Sequence, residues 1–173
     1  PVVKRYFLIA LLLGISSNVT ASIDWSSPST CNIEGSNNLD EIINQMTLRQ
    51  KIGQIIMPDI QYVTPEEAKK YQLGSILNGG GSWPNNKKTS TVQDWQNLSK
   101  AYYDASPVIG DQIVPIIWGT DAVHGHSNVI GATVFPHNIG IGATQDTDLI
   151  KRIAGVVAKE VLSTGIVWTF APT

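Results

Sequence analysis

The sequence predicts an α/β fold built around a short parallel sheet. Segments that favour strands and helices alternate along the chain in the order strand, helix, strand, helix, strand, which is the order of parallel α/β folds. The predicted strands are almost continuously apolar, as expected for strands that are covered on both faces. The composition agrees with a globular domain, since 42% of the 173 residues are hydrophobic and 15% are charged.

The N-terminus differs from the rest of the chain and predicts a secretory signal peptide at residues 1–21. Lys4 and Arg5 form a short positive region, and an apolar run follows at 6–15. Ala21 is the small residue before the expected cleavage position. The apolar run is shorter than the roughly 20 residues that span a bilayer, so we expect no stable membrane insertion. The alternative is an uncleaved N-terminal anchor. Cleavage predicts an exported protein, either periplasmic or extracellular.

Residues 22–38 are rich in Ser, Asn and Pro and are predicted to form an extended lead-in, so that the folded domain spans 39–173. Within this domain, Thr residues in capping patterns and Gly residues predict where helices begin and end. Helices are expected after Thr47, from Thr64 to Gly74, after Thr91, and from about Thr147 to Gly165. Apolar runs predict strands at 75–77, 113–118 and 166–170.

Charge and cysteine content exclude two features. The formal net charge is −2, and the chain lacks the basic face that phosphate binding requires, so we expect no nucleic-acid partner. Cys31 is the single cysteine, and no intrachain disulfide can form.

The richest group of chemically useful side chains follows the second predicted strand. Asp121, His124 and His126 lie there, at the end of a strand where parallel α/β folds place their working groups. A carboxylate can accept two hydroxyl hydrogen bonds from a sugar, and His124 and His126 can orient it or donate to a ligand. In the alternative interpretation, Asp121 caps a turn and both histidines bond to backbone. A third interpretation takes all three side chains as zinc ligands of a metal-dependent hydrolase.

A glycine-rich loop at 79–81 follows the first predicted strand, and Trp83 comes directly after it. Glycine allows backbone to approach a ligand closely, but the loop lacks both phosphate-binding signatures. Trp83 either stacks on a sugar ring or covers the core. His137 has no partner in a motif and is interpreted as structural.

Several segments, in register along the chain, resemble the N-terminal domain of glycoside hydrolase family 3. They are Thr47–Gln54, Gly74–Ser82 and the block from Trp118 to Thr173. Within that block, residues 119–126, 132–138 and 170–172 resemble the β-glucosidase and exo-β-glucanase branch. The Asp-Ala-Val-His-Gly form at 121–125 differs from the form usual in the family's N-acetylglucosaminidases, which favours glucose as the recognised sugar.

The resemblance implies a (β/α)8 TIM-type barrel followed by a second α/β domain. A barrel of this type has eight strands and typically about 250 residues, so we expect only its first part here, cut off after the third strand. The resemblance also implies retaining hydrolysis of terminal β-D-glucosyl residues in β-glucosides or β-glucans, without metal or organic cofactor. Asp121 matches the family's Asp that binds hydroxyls of the terminal glucosyl unit.

The family's two catalytic carboxylates, an Asp nucleophile and a Glu acid/base, belong to stretches that this sequence does not contain. We therefore expect no catalytic residue in the chain and no hydrolysis by the isolated fragment. The alternative is a sugar-binding fragment without catalysis, in which Asp121, Trp83 and the glycine-rich loop form part of a site.

Overall fold

A computed structural model describes residues 36–173, which form helices and short strands. The helices are α1 (Ser36–Gln45), α2 (Leu48–Gln54), α3 (Pro65–Tyr71), α4 (Val92–Asp104), α5 (Asn138–Ala143) and α6 (Thr147–Ser163). The strands are β1 (Ser75–Asn78), β2 (Val108–Ile109), β3 (Gln112–Ile113), β4 (Ile117–Thr120) and β5 (Trp168–Thr169). Among these helices, none is both long enough and apolar enough to cross a bilayer.

The expected signal peptide at 1–21 and most of the expected lead-in lie outside the described residues. Residues 36–38, the end of that lead-in, already belong to α1. The expected extended conformation is therefore wrong for residues 36–38.

The main sheet is parallel and has the strand order β1-β4-β5. A strand-like segment at 58–60 extends it on the other side of β1, where the Leu77 N–H donates to the Pro58 carbonyl at 3.0 Å. The Ile60 N–H donates to the Leu77 carbonyl at 2.9 Å. Neighbours in the sheet follow one another along the chain, and helices connect them, which confirms the predicted α/β class.

Three helices begin at the predicted Thr residues, and each begins with a capping box. In α2, α3 and α4 the N-cap Thr hydroxyl accepts a hydrogen bond from the N3 backbone, and the N3 side chain accepts one from the N-cap backbone. At α3, for example, the Thr64 N–H donates to Glu67 Oε2 at 2.9 Å. These boxes satisfy backbone groups that a helix terminus leaves without partners.

The predicted end of α3 at Gly74 was wrong. The left-handed residue that ends the helix is Gln72, with φ 57°. Gly74 is needed for a different reason, because a Cβ there would lie 2.8 Å from the Gln54 Cα. Because glycine has no Cβ, β1 can start directly beside α2.

The predicted strand at 113–118 is two strands that belong to different sheets. Ile113 ends β3, which pairs with β2 in an antiparallel hairpin that the sequence analysis missed. Pro115 has no N–H to continue a ladder, and β4 begins after it, at Ile117. β4 then continues beyond Trp118 to Thr120.

The predicted end of the last helix is confirmed, whereas the last strand is shorter than predicted. α6 spans Thr147–Ser163 with Thr164 as its C-cap, and Gly165 follows in the left-handed conformation with φ 81°. The ladder of β5 covers Trp168–Thr169 within the predicted strand at 166–170. A short helix, α5, precedes α6 and was not predicted.

The core lies between the sheet and the helices. Ile76 and Trp118 are paired in register and buried on the side of the sheet that faces α4. The buried rings of Trp95 and Tyr102 from α4 pack against Trp118, with centroids 5.9 and 5.6 Å away. On the opposite face, Gly119 leaves room for the Phe170 ring, because a Cβ there would come within 2.6 Å of its Cζ.

Replacing Tyr102 with Phe should destabilise the domain, whereas the same change at the neighbouring Tyr103 should not. The buried Tyr102 hydroxyl donates to the Val63 carbonyl at 2.6 Å, and losing it leaves a buried acceptor unpaired. We expect a loss of about 1–3 kcal/mol in the free energy of unfolding. Tyr103 is 54% exposed and serves as the matched control. Equal urea midpoints for the two variants would contradict the assigned role of the hydroxyl.

Candidate functional site

The candidate site lies at the C-terminal edge of the parallel sheet. The register of β1 on β4 pairs Asn78 with Thr120, the last residues of the two strands. The glycine-rich loop therefore leaves the sheet next to the loop that begins with Asp121. The segment at 58–60 ends at the same edge, beside β1.

Asp59 holds the glycine-rich loop in place. Its carboxylate accepts hydrogen bonds from the Gly79 N–H at 3.0 Å and from the Ser82 hydroxyl at 2.7 Å. It also accepts one from the Gln61 N–H at 2.8 Å, and the Gln61 side chain donates to the Gly81 carbonyl at 2.6 Å. Such charge-assisted bonds are stronger than neutral ones. Asp59 therefore acts as an anchor for the loop.

Asn128 connects the two loops. Its side chain is buried, and its Nδ2 donates to the Gly79 carbonyl at 3.1 Å. Asn128 belongs to the loop that starts at Asp121, so this bond fixes one loop against the other. Both loops are thus held by polar contacts on the inner side of the edge.

Asp121 is the exposed carboxylate of this edge. It follows β4 directly and its side chain is exposed. Within residues 36–173 the one ion pair joins Lys100 and Asp104, so Asp121 has no cationic partner there. Because Asp59 is occupied by protein donors and Asp121 faces solvent, Asp121 is the carboxylate that a ligand can reach.

His124 contributes to the shape of the loop. Its Nδ1–H donates to the Phe135 carbonyl at 2.8 Å, and the Phe135 N–H donates back to the His124 carbonyl at 2.8 Å. The half-buried ring lies 5.3 Å from the ring of His137, centroid to centroid. The bond to backbone agrees with the structural interpretation of His124, and it fixes the proton on Nδ1.

His126 points into the core, away from the exposed edge. It is 1% exposed, its Nε2 lies 3.1 Å from the Thr164 hydroxyl, and its ring lies 5.8 Å from that of Trp95. Burial lowers the pKa of His126 to about 4, and the neighbouring Glu160 opposes this shift. The imidazole is therefore neutral at pH 7 and joins the loop to the end of α6.

Trp83 also lies apart from Asp121. Its half-buried ring packs against the core and lines a cleft of about 330 Å³ together with Ile60, Leu98 and Tyr102. Asp121 does not line this cleft. The structure thus brings Asp121, His124 and the glycine-rich loop to one edge, whereas it places His126 and Trp83 in contact with the core.

The zinc interpretation requires Asp121, His124 and His126 to converge on one point. In the part of the chain that the structure describes, no three His, Cys, Asp or Glu side chains are grouped so that they could hold a metal ion. The ring of His126 is buried in the core whereas Asp121 is exposed, so these three side chains do not converge.

Sequence reasoning missed Asp59 and Asn128. The apolar run 55–57 before Pro58 and Asp59 is a usable signal, since it marks another strand end that carries a carboxylate. Asn128 carries no comparable signal, because its role depends on Gly79, 49 residues away in sequence.

The buried His126 should make the domain less stable at acidic pH. The unfolded chain protonates this imidazole near pH 6.5, whereas the folded state resists protonation until the pH approaches about 4. Its contribution to stability is therefore complete above pH 6.5 and is lost as the pH falls toward 4. We compare the free energy of unfolding of the wild type with that of a His126→Phe variant. The difference between the two should shrink by about 3 kcal/mol as the pH falls over this range. Urea unfolding at several pH values measures it, and a constant difference would contradict the assignment.

The sequence is similar to those of two curated β-glucosidases. It is 31% identical over 150 residues to the lysosomal beta glucosidase of Dictyostelium discoideum, covering 78% of this chain and 18% of that protein. It is 27% identical over 137 residues to the periplasmic beta-glucosidase of Salmonella typhimurium, covering 76% of this chain and 15% of that protein. The chain thus spans less than a fifth of the length of each.

The fold is similar to that of solved glycosidases. The crystal structure of exo-1,3/1,4-beta-glucanase from a Pseudoalteromonas species matches with a TM-score of 0.73 and 48% identity, over 79% of this chain and 17% of that chain. A β-N-acetylglucosaminidase from a Paenibacillus species matches in fold, with a TM-score of 0.59 and 24% identity over 73% of this chain and 24% of that chain. These matches confirm an α/β fold of the TIM-barrel type, present here in part. Residues 47–173 match the profile of the glycosyl hydrolase family 3 N terminal domain, and the chain belongs to this family.

Proposed function

We propose that the protein to which this chain belongs hydrolyses terminal non-reducing β-D-glucosyl residues of β-glucosides or β-glucans, with retention of configuration. The observation that carries the proposal is the exposed Asp121 carboxylate, which stands beside the anchored glycine-rich loop at the C-terminal edge of the sheet. The beta glucosidases and the exo-beta-glucanase among its relatives support the same substrate class.

Asp121 acts in this proposal as a substrate-binding residue. A carboxylate without protein partners can accept hydrogen bonds from two sugar hydroxyls, and both bonds are charge-assisted. Such contacts position the ring and strengthen where the transition state redistributes charge. His124 and Asn128 contribute indirectly, since each holds backbone of the loop that carries Asp121 or of the loop beside it.

We assign neither catalytic carboxylate to residues 1–173. A retaining mechanism uses two carboxyl groups about 5–5.5 Å apart, one as nucleophile and one as acid/base. Of the two carboxylates found at this edge, Asp59 is committed to the Gly79 and Ser82 donors and Asp121 is assigned to sugar hydroxyls. No metal or organic cofactor takes part in the proposed reaction.

We also propose that the protein is exported, to the periplasm or the extracellular space. Two observations support export. The first is the pattern of a signal peptide at residues 1–21, which lie outside the described structure. The second is that the two curated relatives are named as periplasmic and lysosomal enzymes.

Replacing Asp121 with Asn tests the substrate-binding role. The amide keeps the shape of the side chain but loses the charge, so hydrogen bonds from the sugar weaken. We expect kcat/KM for a nitrophenyl β-glucoside to fall about 10- to 100-fold in the intact protein, the loss expected for one or two charge-assisted bonds. Asp111→Asn is the matched control, because Asp111 is an exposed carboxylate in the turn between β2 and β3. Equal activity of the two variants would contradict the role.

The isolated segment 22–173 should release no nitrophenol above the rate in buffer, whereas the intact protein should hydrolyse the same β-glucoside. The reason is that the nucleophile and the acid/base are assigned to other parts of the protein. Release by the purified segment that Asp121→Asn abolishes would place a catalytic pair within this chain. Failure of the intact protein to hydrolyse the β-glucoside, together with glucose binding by the segment, would favour the sugar-binding alternative.

A further inference from the structure

Four buried polar side chains form a cluster directly behind the candidate site. This polar cluster consists of Asn78, Trp95, Thr120 and His126, each at most 1% exposed. Each carries one polar atom that has no hydrogen-bond partner within residues 36–173, namely Asn78 Nδ2, Trp95 Nε1, Thr120 Oγ1 and His126 Nδ1. Leaving one buried polar atom unpaired costs about 1–3 kcal/mol. A marginally stable domain does not tolerate the sum of four such costs, so these atoms require hydrogen-bond partners.

The four side chains lie on the same side of the sheet. Asn78 and Thr120 are register partners at the strand ends, and by strand alternation they point to the helix-covered side, like Trp118. The Trp118 Nε1–H donates to Asn78 Oδ1 at 2.8 Å, and its ring lies 5.9 Å from that of Trp95. The Trp95 ring lies in turn 5.8 Å from that of His126. These contacts connect Asn78, Trp95 and His126 through Trp118, and Thr120 lies beside Asn78, so the polar cluster lies beneath the C-terminal edge.

The hydrogen-bonding roles of three of the unpaired atoms follow from their chemistry and their neighbours, and the Thr120 hydroxyl can take either role. The Thr164 hydroxyl has one proton, which it donates to the Val161 carbonyl at 2.6 Å. It must therefore accept from His126 Nε2–H at 3.1 Å, which leaves Nδ1 of His126 as an acceptor. The Trp95 indole is a donor, and so is the Asn78 amide nitrogen, because Oδ1 of Asn78 already accepts from Trp118.

We propose that the polar cluster binds one buried water molecule. The water accepts from Asn78 Nδ2 and Trp95 Nε1 and donates to His126 Nδ1 and Thr120 Oγ1, which uses its full capacity of two donated and two accepted bonds. Buried waters typically make about 3 hydrogen bonds, with a range of 2–4. The two N–H donors exclude a cation, and the lone pair of His126 disfavours an anion, so a neutral donor and acceptor of minimal size fits.

The water links four elements of the fold. It joins the end of β1 to the end of β4, connects both to α4 through Trp95, and reaches α6 through His126 and Thr164. Thr120 directly precedes Asp121, so the water stabilises the backbone from which the proposed sugar-binding carboxylate projects. The binding of water rests on the hydrogen-bonding groups alone and does not depend on the proposed activity.

The test is a crystal structure of the intact wild-type protein at about 1.5 Å or better, where ordered buried water is resolved. We expect one full-occupancy water within about 2.7–3.2 Å of the four atoms. A dry site would overturn the proposal, and so would a protein group from outside residues 36–173 that bonds to the four atoms.

A pair of variants tests the assigned partners. Thr120→Val keeps the shape of the side chain but removes the hydroxyl, and Thr120→Ser keeps the hydroxyl as the matched control. We expect the water to lose occupancy or to move in the Val protein and to stay in the Ser protein. An unchanged water in both would overturn the role of Thr120. If the Val variant does not fold, ¹⁵N shifts of His126 in the wild type decide the question, since a proton on Nδ1 instead of Nε2 would overturn the assignment.

Discussion

The register of β1 on β4 determines where the candidate site is built. It sets Ile76 opposite Trp118 on the helix-covered side, and it sets Asn78 opposite Thr120 at the strand ends. A slip by one residue would turn every side chain of one strand to the other face, and Trp118 would lose both its packing against α4 and its bond to Asn78. Burial of the Trp118 ring strongly favours one register. The glycine-rich loop and the loop that begins with Asp121 therefore leave the sheet side by side.

The two carboxylates at this edge illustrate how similar groups acquire different roles. Asp59 faces three protein donors, from Gln61, Gly79 and Ser82, and its charge holds a flexible glycine loop in place. Asp121 emerges one loop away without a cationic partner among the described residues. The first carboxylate therefore has a structural role, whereas the second remains available to a ligand.

The features that sequence predicted best are local ones. The capping boxes that begin α2, α3 and α4 need only residues three positions apart, and β1 is a short apolar run before a turn. The features that sequence reasoning missed depend on distant partners. The burial of His126 depends on Thr164, 38 residues later, and the division of the run at 113–118 depends on Pro115 and on pairing with different neighbours. No local pattern contains that information.

His124 and His126 show why residue type and spacing alone did not separate ligand from scaffold. They stand two positions apart, yet Gly125 between them has φ 130°, and a Cβ there would lie 3.0 Å from the Val134 Cα. This glycine turns the chain so sharply that His124 bonds to the backbone of Phe135 while His126 enters the core. Each imidazole secures one end of the turn that follows Asp121. In the proposed enzyme, both histidines therefore affect the sugar through the backbone they hold, and Asp121 is left to make the direct contact.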